Sequence, residues 1–197
     1  MNKKSVAASV LVVFMAIVFS VVGICFSYFV YKDTKIVVSK VMLSATEGIE
    51  VYSDKELKVS ANELKLSNMD VGLKPATGEL DQETQIPSTI NDEGTSEGYY
   101  SKIFVKASKN YKIVVKDVEI VSDKDEIEIK EQRKNIFVAI KDVKNSTKSI
   151  EKEVTEIASF QDVSETQELV FYIWLSSLTD DVLEGAKINF TLDFQVI

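Results

Sequence analysis

The sequence predicts a mainly β protein: an N-terminal transmembrane helix followed by an immunoglobulin-like antiparallel β-sandwich. Three observations carry this expectation. Residues 5–31 (SVAASVLVVFMAIVFSVVGICFSYFVY) hold no charge and are mostly apolar. Beyond residue 98 the apolar pattern has period two, the period at which side chains alternate between the faces of a pleated strand. Short runs rich in Val, Ile, Phe and Tyr recur there between Ser, Asn and Asp, without the repeated helices that a parallel α/β sheet demands.

The first element follows from length. A hydrocarbon core about 30 Å thick takes ~20 helical residues, and every backbone amide must be bonded within the segment. Residues 5–31 meet this, fenced by Lys3 and Lys4 on one side and by Lys32 and Asp33 on the other. A cleaved secretion signal has an apolar core of about 7–15 residues and a small-x-small cleavage site. Here the core continues through Phe26, Tyr28 and Phe29, and the best cleavage position, after Ser27, has aromatic neighbours. A retained signal-anchor is therefore expected. Val22-Gly23-Ile24-Cys25 approximates a lipoprotein box, but Ile24 stands where a small residue precedes an acylated cysteine, so Cys25 reads as a passive buried thiol. Lys3 and Lys4 compete with Lys32, Lys35 and Lys40, which leaves orientation open on charge alone. The short tail (residues 1–4) and the cysteine-free part beyond the helix favour a single-pass cell-membrane protein with its C-terminal domain extracytoplasmic.

Residues 32–66 form a juxtamembrane segment and the first strands. Val37, Val38, Val41, Met42 and Ala45 recur at helical spacing, while IVVSKVML is β-branched like a strand; the spacing tips the expectation to a helix ending near Gly48. IEVYS, ELKVS and ELKLS then suit short edge strands. Residues 67–98 are a long polar loop, with both prolines (Pro75 and Pro87) and four of the seven glycines. A loop of that length is functional, packed as an Ω-type excursion, or mobile, and it is a candidate binding surface.

Residues 99–197 make the main part of the sandwich. Strands are expected at 100–106, 111–121, 126–130 and 135–141. Ile150, Val154, Ile157 and Ala158 fall at helical spacing and suggest a short amphipathic helix on the outside of the sheets, with a strand as the alternative. Residues 169–175 (LVFYIWL) are nearly all apolar, which fits a central strand buried on both faces with Trp174 as a core anchor. Residues 187–196 alternate without a fault: Ile188, Phe190, Leu192, Phe194 and Val196 to the core, Lys187, Asn189, Thr191, Asp193 and Gln195 to water.

Composition excludes several function classes. Apart from Lys3 and Lys4, 21 of the 23 basic residues accompany all 31 acidic ones, so the part beyond the helix carries net charge −10. Nucleic acid is not expected as a partner, because phosphate binding needs clustered Lys and Arg and the only arginine is Arg133. The chain has no histidine, which removes histidine-based triads and HExxH zinc sites. Gly72, Gly78, Gly94 and Gly98 are too widely spaced for a phosphate loop. Carboxylate pairs such as Asp125 and Glu126, or Asp180 and Asp181, are of the residue type that glycosidases use, but adjacent acids more often serve as solvated charge. Asp123, Asp125, Glu126 and Glu128 are oxygen-rich, but the glycine and terminal glutamate of an EF-hand loop are missing. No catalytic, cofactor-binding or metal residue is assigned. Asn145-Ser146-Thr147 and Asn189-Phe190-Thr191 match the glycosylation sequon, which matters in a eukaryotic source.

The general plan, and above all the ending Leu183-Glu184-Gly185-Ala186-Lys187-Ile188-Asn189-Phe190-Thr191-Leu192-Asp193-Phe194-Gln195, resembles the camelysin and TasA-type surface proteins of Gram-positive bacteria. Their last strand similarly follows a glycine turn and alternates into an aromatic close. The resemblance covers the final strand and the overall plan. It implies an exported, cell-surface sandwich capable of self-association, and it supplies no active-site residue. The chain departs from those proteins at Ile24-Cys25-Phe26-Ser27, where they have a cleavable signal with an alanine-rich end. A pilin plan lacks its marks, since no glycine precedes the apolar run and no glutamate interrupts its start. The expected function is contact without catalysis, as a surface scaffold, by self-assembly or by partner binding. The alternatives are an accessory subunit of a membrane complex and a carboxylate-dependent hydrolase. The expected partners are the membrane, through residues 5–31, and other copies or other surface proteins.

Overall fold

The computed structural model describes residues 36–67, 72–95, 97–122, 130–161, 163, 165–179 and 183–197. The helix expected at 5–31, with Cys25, lies outside the described residues, as does the strand expected at 126–130 except for Lys130. Among the described residues no helix is long and apolar enough to cross a membrane.

The chain is mainly β, in two sheets. Its strands are β1 (Val37–Ala45), β2 (Ile49–Tyr52), β3 (Gly98–Ala107), β4 (Tyr111–Val121), β5 (Ile136–Ile140), β6 (Lys148–Ser149), β7 (Thr155–Phe160), β8 (Gln167–Leu175) and β9 (Lys187–Val196). One sheet has the order β1-β9-β4-β7 and the other β2-β3-β8-β5-β6. Neighbours run antiparallel except β1 and β9, which are parallel from Val37 opposite Lys187 to Ala45 opposite Phe194. The expectation of purely antiparallel sheets is corrected at that pair.

The inward side chains of both sheets form one apolar cluster, consistent with a β-sandwich. Phe190 and Phe194 of β9, Ile113 of β4 and Val41 of β1 belong to it together with Ile103 of β3 and Phe171 of β8. Tyr111 stacks on Phe160 with ring centroids 4.9 Å apart and also lies against Phe194. Its buried hydroxyl is bonded to Gln167.

Two helix expectations are overturned, and both for the same reason. Residues 37–45 form β1, whose register with β9 shifts between Val38 and Lys40. The extra residue, Ser39, turns its hydroxyl to Asn189 Oδ1 (2.7 Å) and brings Val38 and Val41, three residues apart, to the same buried side. A β-bulge thus imitates helical spacing. In β7 the partner of β4 skips from Ala158 to Glu156, so Ile157 and Ala158 are both buried although adjacent. Val154, read as part of a helical stripe, is exposed.

The edge strands expected at 56–60 and 63–67 are isolated bridges instead: Tyr52 with Ser60 and Met42 with Glu63. This stretch passes from the edge of one sheet to the edge of the other. Ala61 N–H donates to Val51 O (2.8 Å), Leu43 N–H to Asn62 O (2.9 Å) and Leu64 N–H to Val41 O (2.9 Å). It covers the free sides of β2 and β1, and Leu64 adds its side chain to the core.

Asp193 also departs from expectation. The alternation of β9 puts it on the outer face, yet it is only 5% exposed. Strand β9 has neighbours on both sides, and Lys116 of β4 closes over the carboxylate at 2.9 Å.

Candidate functional site

The near-continuous apolar sequence of β8 needs a second buried face, and the polar loop supplies the cover. Leu169, Phe171, Ile173 and Leu175 point into the main core, while Val170, Tyr172 and Trp174 form a separate cluster on the outer face with Ala139 of β5. Ala76, Ile86 and Ile90, from the segment between β2 and β3, complete that cluster, and Phe137 and Tyr100 pack at its margin. Trp174 is 2% exposed, buried as expected, although under a loop and not between the sheets. It sits opposite Phe137 on β5, the two rings stacked with centroids 5.7 Å apart.

The cover is built on its own turn. Leu80 bridges to Pro87, Ser88 N–H donates to Glu79 O (2.8 Å) and Asp81 N–H to Ile86 O (3.0 Å). Asp81 Oδ1 accepts from the N–H groups of Thr84 (2.7 Å) and Glu83 (3.0 Å) and from the Thr84 hydroxyl (2.8 Å). These bonds, the Thr84 ones foremost, hold the Asp81 carboxyl below its ordinary range. Gly78 lets the two limbs of the turn approach, since a Cβ there would lie 2.7 Å from Thr89 N and from Ser88 Oγ.

Polar contacts tie the cover to the sheet. Asp92 accepts from the Lys141 ammonium and from the Tyr172 hydroxyl, and both bonds hold its carboxyl below the usual value, Lys141 contributing most. Burial, with the Asp92 hydrogen bond second, raises Tyr172 above the ordinary tyrosine value. Thr147 Oγ1 donates to Thr84 O (2.5 Å), and Ala76 N–H donates to Leu175 O (2.8 Å).

Between the cover and the sheet lies a cleft of about 230 Å³. Leu80, Gln85 and Pro87 line one side, Phe137, Trp174 and Ser176 the other, and none of the described residues that line it is charged. Leu80 is 57% exposed, and Leu178, two residues beyond Ser176, is 79% exposed. The cleft is smaller than a typical small-molecule pocket of about 300–1,000 Å³, and its described lining, without acid or base, suits a neutral, largely apolar group the size of a side chain.

Of the residues singled out in the sequence, Asp123, Asp125, Glu126, Glu128, Asp180, Asp181 and Cys25 lie outside the described residues. Among the described residues, no group of three or more acidic, His or Cys side chains is placed to hold a metal ion. Asn145 occupies an exposed left-handed turn, whereas the side chain of Asn189 is engaged within the sheet by Ser39 and Glu119. The Asp92–Tyr172–Lys141 tie escaped sequence reading. Its one legible trace is the apolar triplet Ala76, Ile86 and Ile90 inside a polar stretch. The chain matches no protein-family model, no curated protein and no solved structure.

Proposed function

We propose that the chain is a single-pass membrane protein, anchored by residues 5–31, whose body is an extracytoplasmic immunoglobulin-like sandwich that works by contact and not by catalysis. The uncharged apolar run supports the anchor. The observation that carries the contact reading is the cleft whose described lining is uncharged, with Leu80 exposed at it and exposed Leu178 following the lining residue Ser177 in sequence, on a strongly acidic chain. The likeness to camelysin and TasA-type proteins adds surface display and self-association as the family's mode.

The sheet edges favour partner binding at the cleft over strand-to-strand assembly. β1 and β2 are covered by the stretch at 59–64, β6 is two residues long, and β7 carries a bulge and the exposed Glu156. Short, bulged and charged edges resist pairing with another copy. A photo-cross-linking residue placed at Leu178 and, separately, at Ser159 of β7 tests this in intact cells. The expected result is a discrete adduct with another surface protein from position 178 that disappears in Leu80→Asp. Self-adducts from position 159 would favour assembly through β7, and no adduct from either position would overturn the contact reading.

A further inference from the structure

We infer that residues 74–95 form a hinged cover that leaves the outer face of the five-stranded sheet as one unit while both sheets stay folded. The cluster beneath it is separate from the main core, so uncovering it takes no side chain out of the space between the sheets. The cover is held together by its own bonds, Ser88 to Glu79 and Asp81 to Ile86 in the backbone and Asp81 to Glu83 and Thr84 through the carboxylate. A unit bonded internally moves without unravelling.

Both ends of the segment are fixed. Leu73 exchanges backbone hydrogen bonds with Ile36 (2.6 and 3.1 Å), and Thr95 does so with Gly98 (3.0 and 3.3 Å). Gly94 lies next to the second fixed point with φ of 71°, a conformation glycine enters and leaves without steric cost. Between these ends the segment is tied by the Ala76 to Leu175 backbone bond, by Thr147 to Thr84 O, and by Asp92 to Tyr172 and Lys141. Ile90 seats over Gly98, where any Cβ would overlap its terminal methyl. Opening uncovers Tyr172, Trp174, Val170 and Ala139 and converts the cleft into a broad apolar face. The inference does not depend on where the cell places the protein.

The full-length chain in detergent micelles provides the test, because Trp174 is its sole tryptophan and reports directly on the covered face. Hydrogen exchange should find the Ala76 amide, bonded across to Leu175 O, exchanging at least about tenfold faster than the amides of β4 and β9 and faster than those of Asp81 and Ser88, whose bonds travel with the cover. Asp92→Asn should accelerate exchange at Ala76 and acrylamide quenching of Trp174 severalfold and leave β9 unchanged. Gly98→Ala, which displaces Ile90 and spares the polar tie, should do the same. An Ala76 amide that exchanges at the rate of β9, or Asp81 and Ser88 amides that exchange as fast as Ala76, would overturn the inference, as would variants that shift Ala76 and β9 alike or shift neither.

Discussion

Replacing Asp193 with alanine probes the outer face of the four-stranded sheet. The carboxylate is 5% exposed and accepts from Lys116 Nζ at 2.9 Å and from Gln195 Nε2 at 2.8 Å, with Ser44 as a further donor. Hydrogen bonds to a charged group contribute about 1.5–3 kcal/mol, and relief of the carboxylate's desolvation offsets part of the loss. Lys116 is one-third exposed and recovers hydration once its partner is gone. A net loss of about 2 kcal/mol results, which for a body of this size lowers the melting temperature by roughly 4–8 °C. The pH dependence gives the effect its signature. Burial alone would raise the Asp193 pKa, but the donors Gln195, Lys116 and Ser44 outweigh it and hold the group below its ordinary value of 3.8. A carboxyl depressed by folding contributes fully above its unfolded pKa and loses that contribution as pH falls through the folded value. Urea unfolding of the full-length chain, followed by circular dichroism from pH 7 down to pH 3, should show the gap between wild type and Asp193→Ala constant at neutral pH and narrowing below about pH 4. Equal stability at pH 7, or a gap that stays constant down to pH 3, would refute the reasoning.

Phe194→Ala empties a fully buried site between the sheets and should cost about 3–5 kcal/mol in the same unfolding assay. Burial raises Tyr111 above its ordinary value of 10.0, and burial with Asp92 does so for Tyr172. Both groups therefore stabilise the fold fully below pH 10 and progressively less as pH rises toward their folded values, an alkaline decline that the Tyr111→Phe, Tyr172→Phe double variant should lose. Gly78→Ala drives a methyl group against Thr89 N and Ser88 and should destabilise the cover by about 1–3 kcal/mol, read as faster exchange at Ser88 with β9 unaffected. The Lys102–Glu168 pair (2.7 Å) has both side chains nearly half exposed, so Lys102→Ala should change stability by less than about 1 kcal/mol.

The elements legible in the sequence are those whose burial alternates without interruption. β9 is readable because Ile188, Phe190, Leu192 and Phe194 keep strict period two, and β8 because residues buried on both faces leave no polar position from 169 to 175. β1 and β7 are misread because a single extra residue shifts the phase: Val38 with Val41, and Ile157 with Ala158, take spacings that belong to a helix. The parallel pairing of β1 with β9 leaves no trace in the sequence, since alternation fixes which face is buried and carries no strand direction. Asp193 follows the right face but the wrong environment, because its burial depends on Lys116 in another strand.

The candidate site is half legible. Prolines and glycines mark residues 67–98 as loop, and the two-sided apolar β8 calls for a cover, so the two features imply each other. What local pattern does not give is the pairing of Asp92 with Tyr172, 80 positions apart, or the seating of Ile90 over Gly98. Those depend on how the loop lies on the sheet.

Protease treatment of intact cells that carry the full-length chain with a C-terminal tag is the most direct measurement. An anchored protein with an external body is expected to lose the tag to added protease, while an N-terminal fragment stays with the membrane fraction. A tag that survives until the cells are lysed, or a chain recovered apart from the membrane, would contradict the proposal.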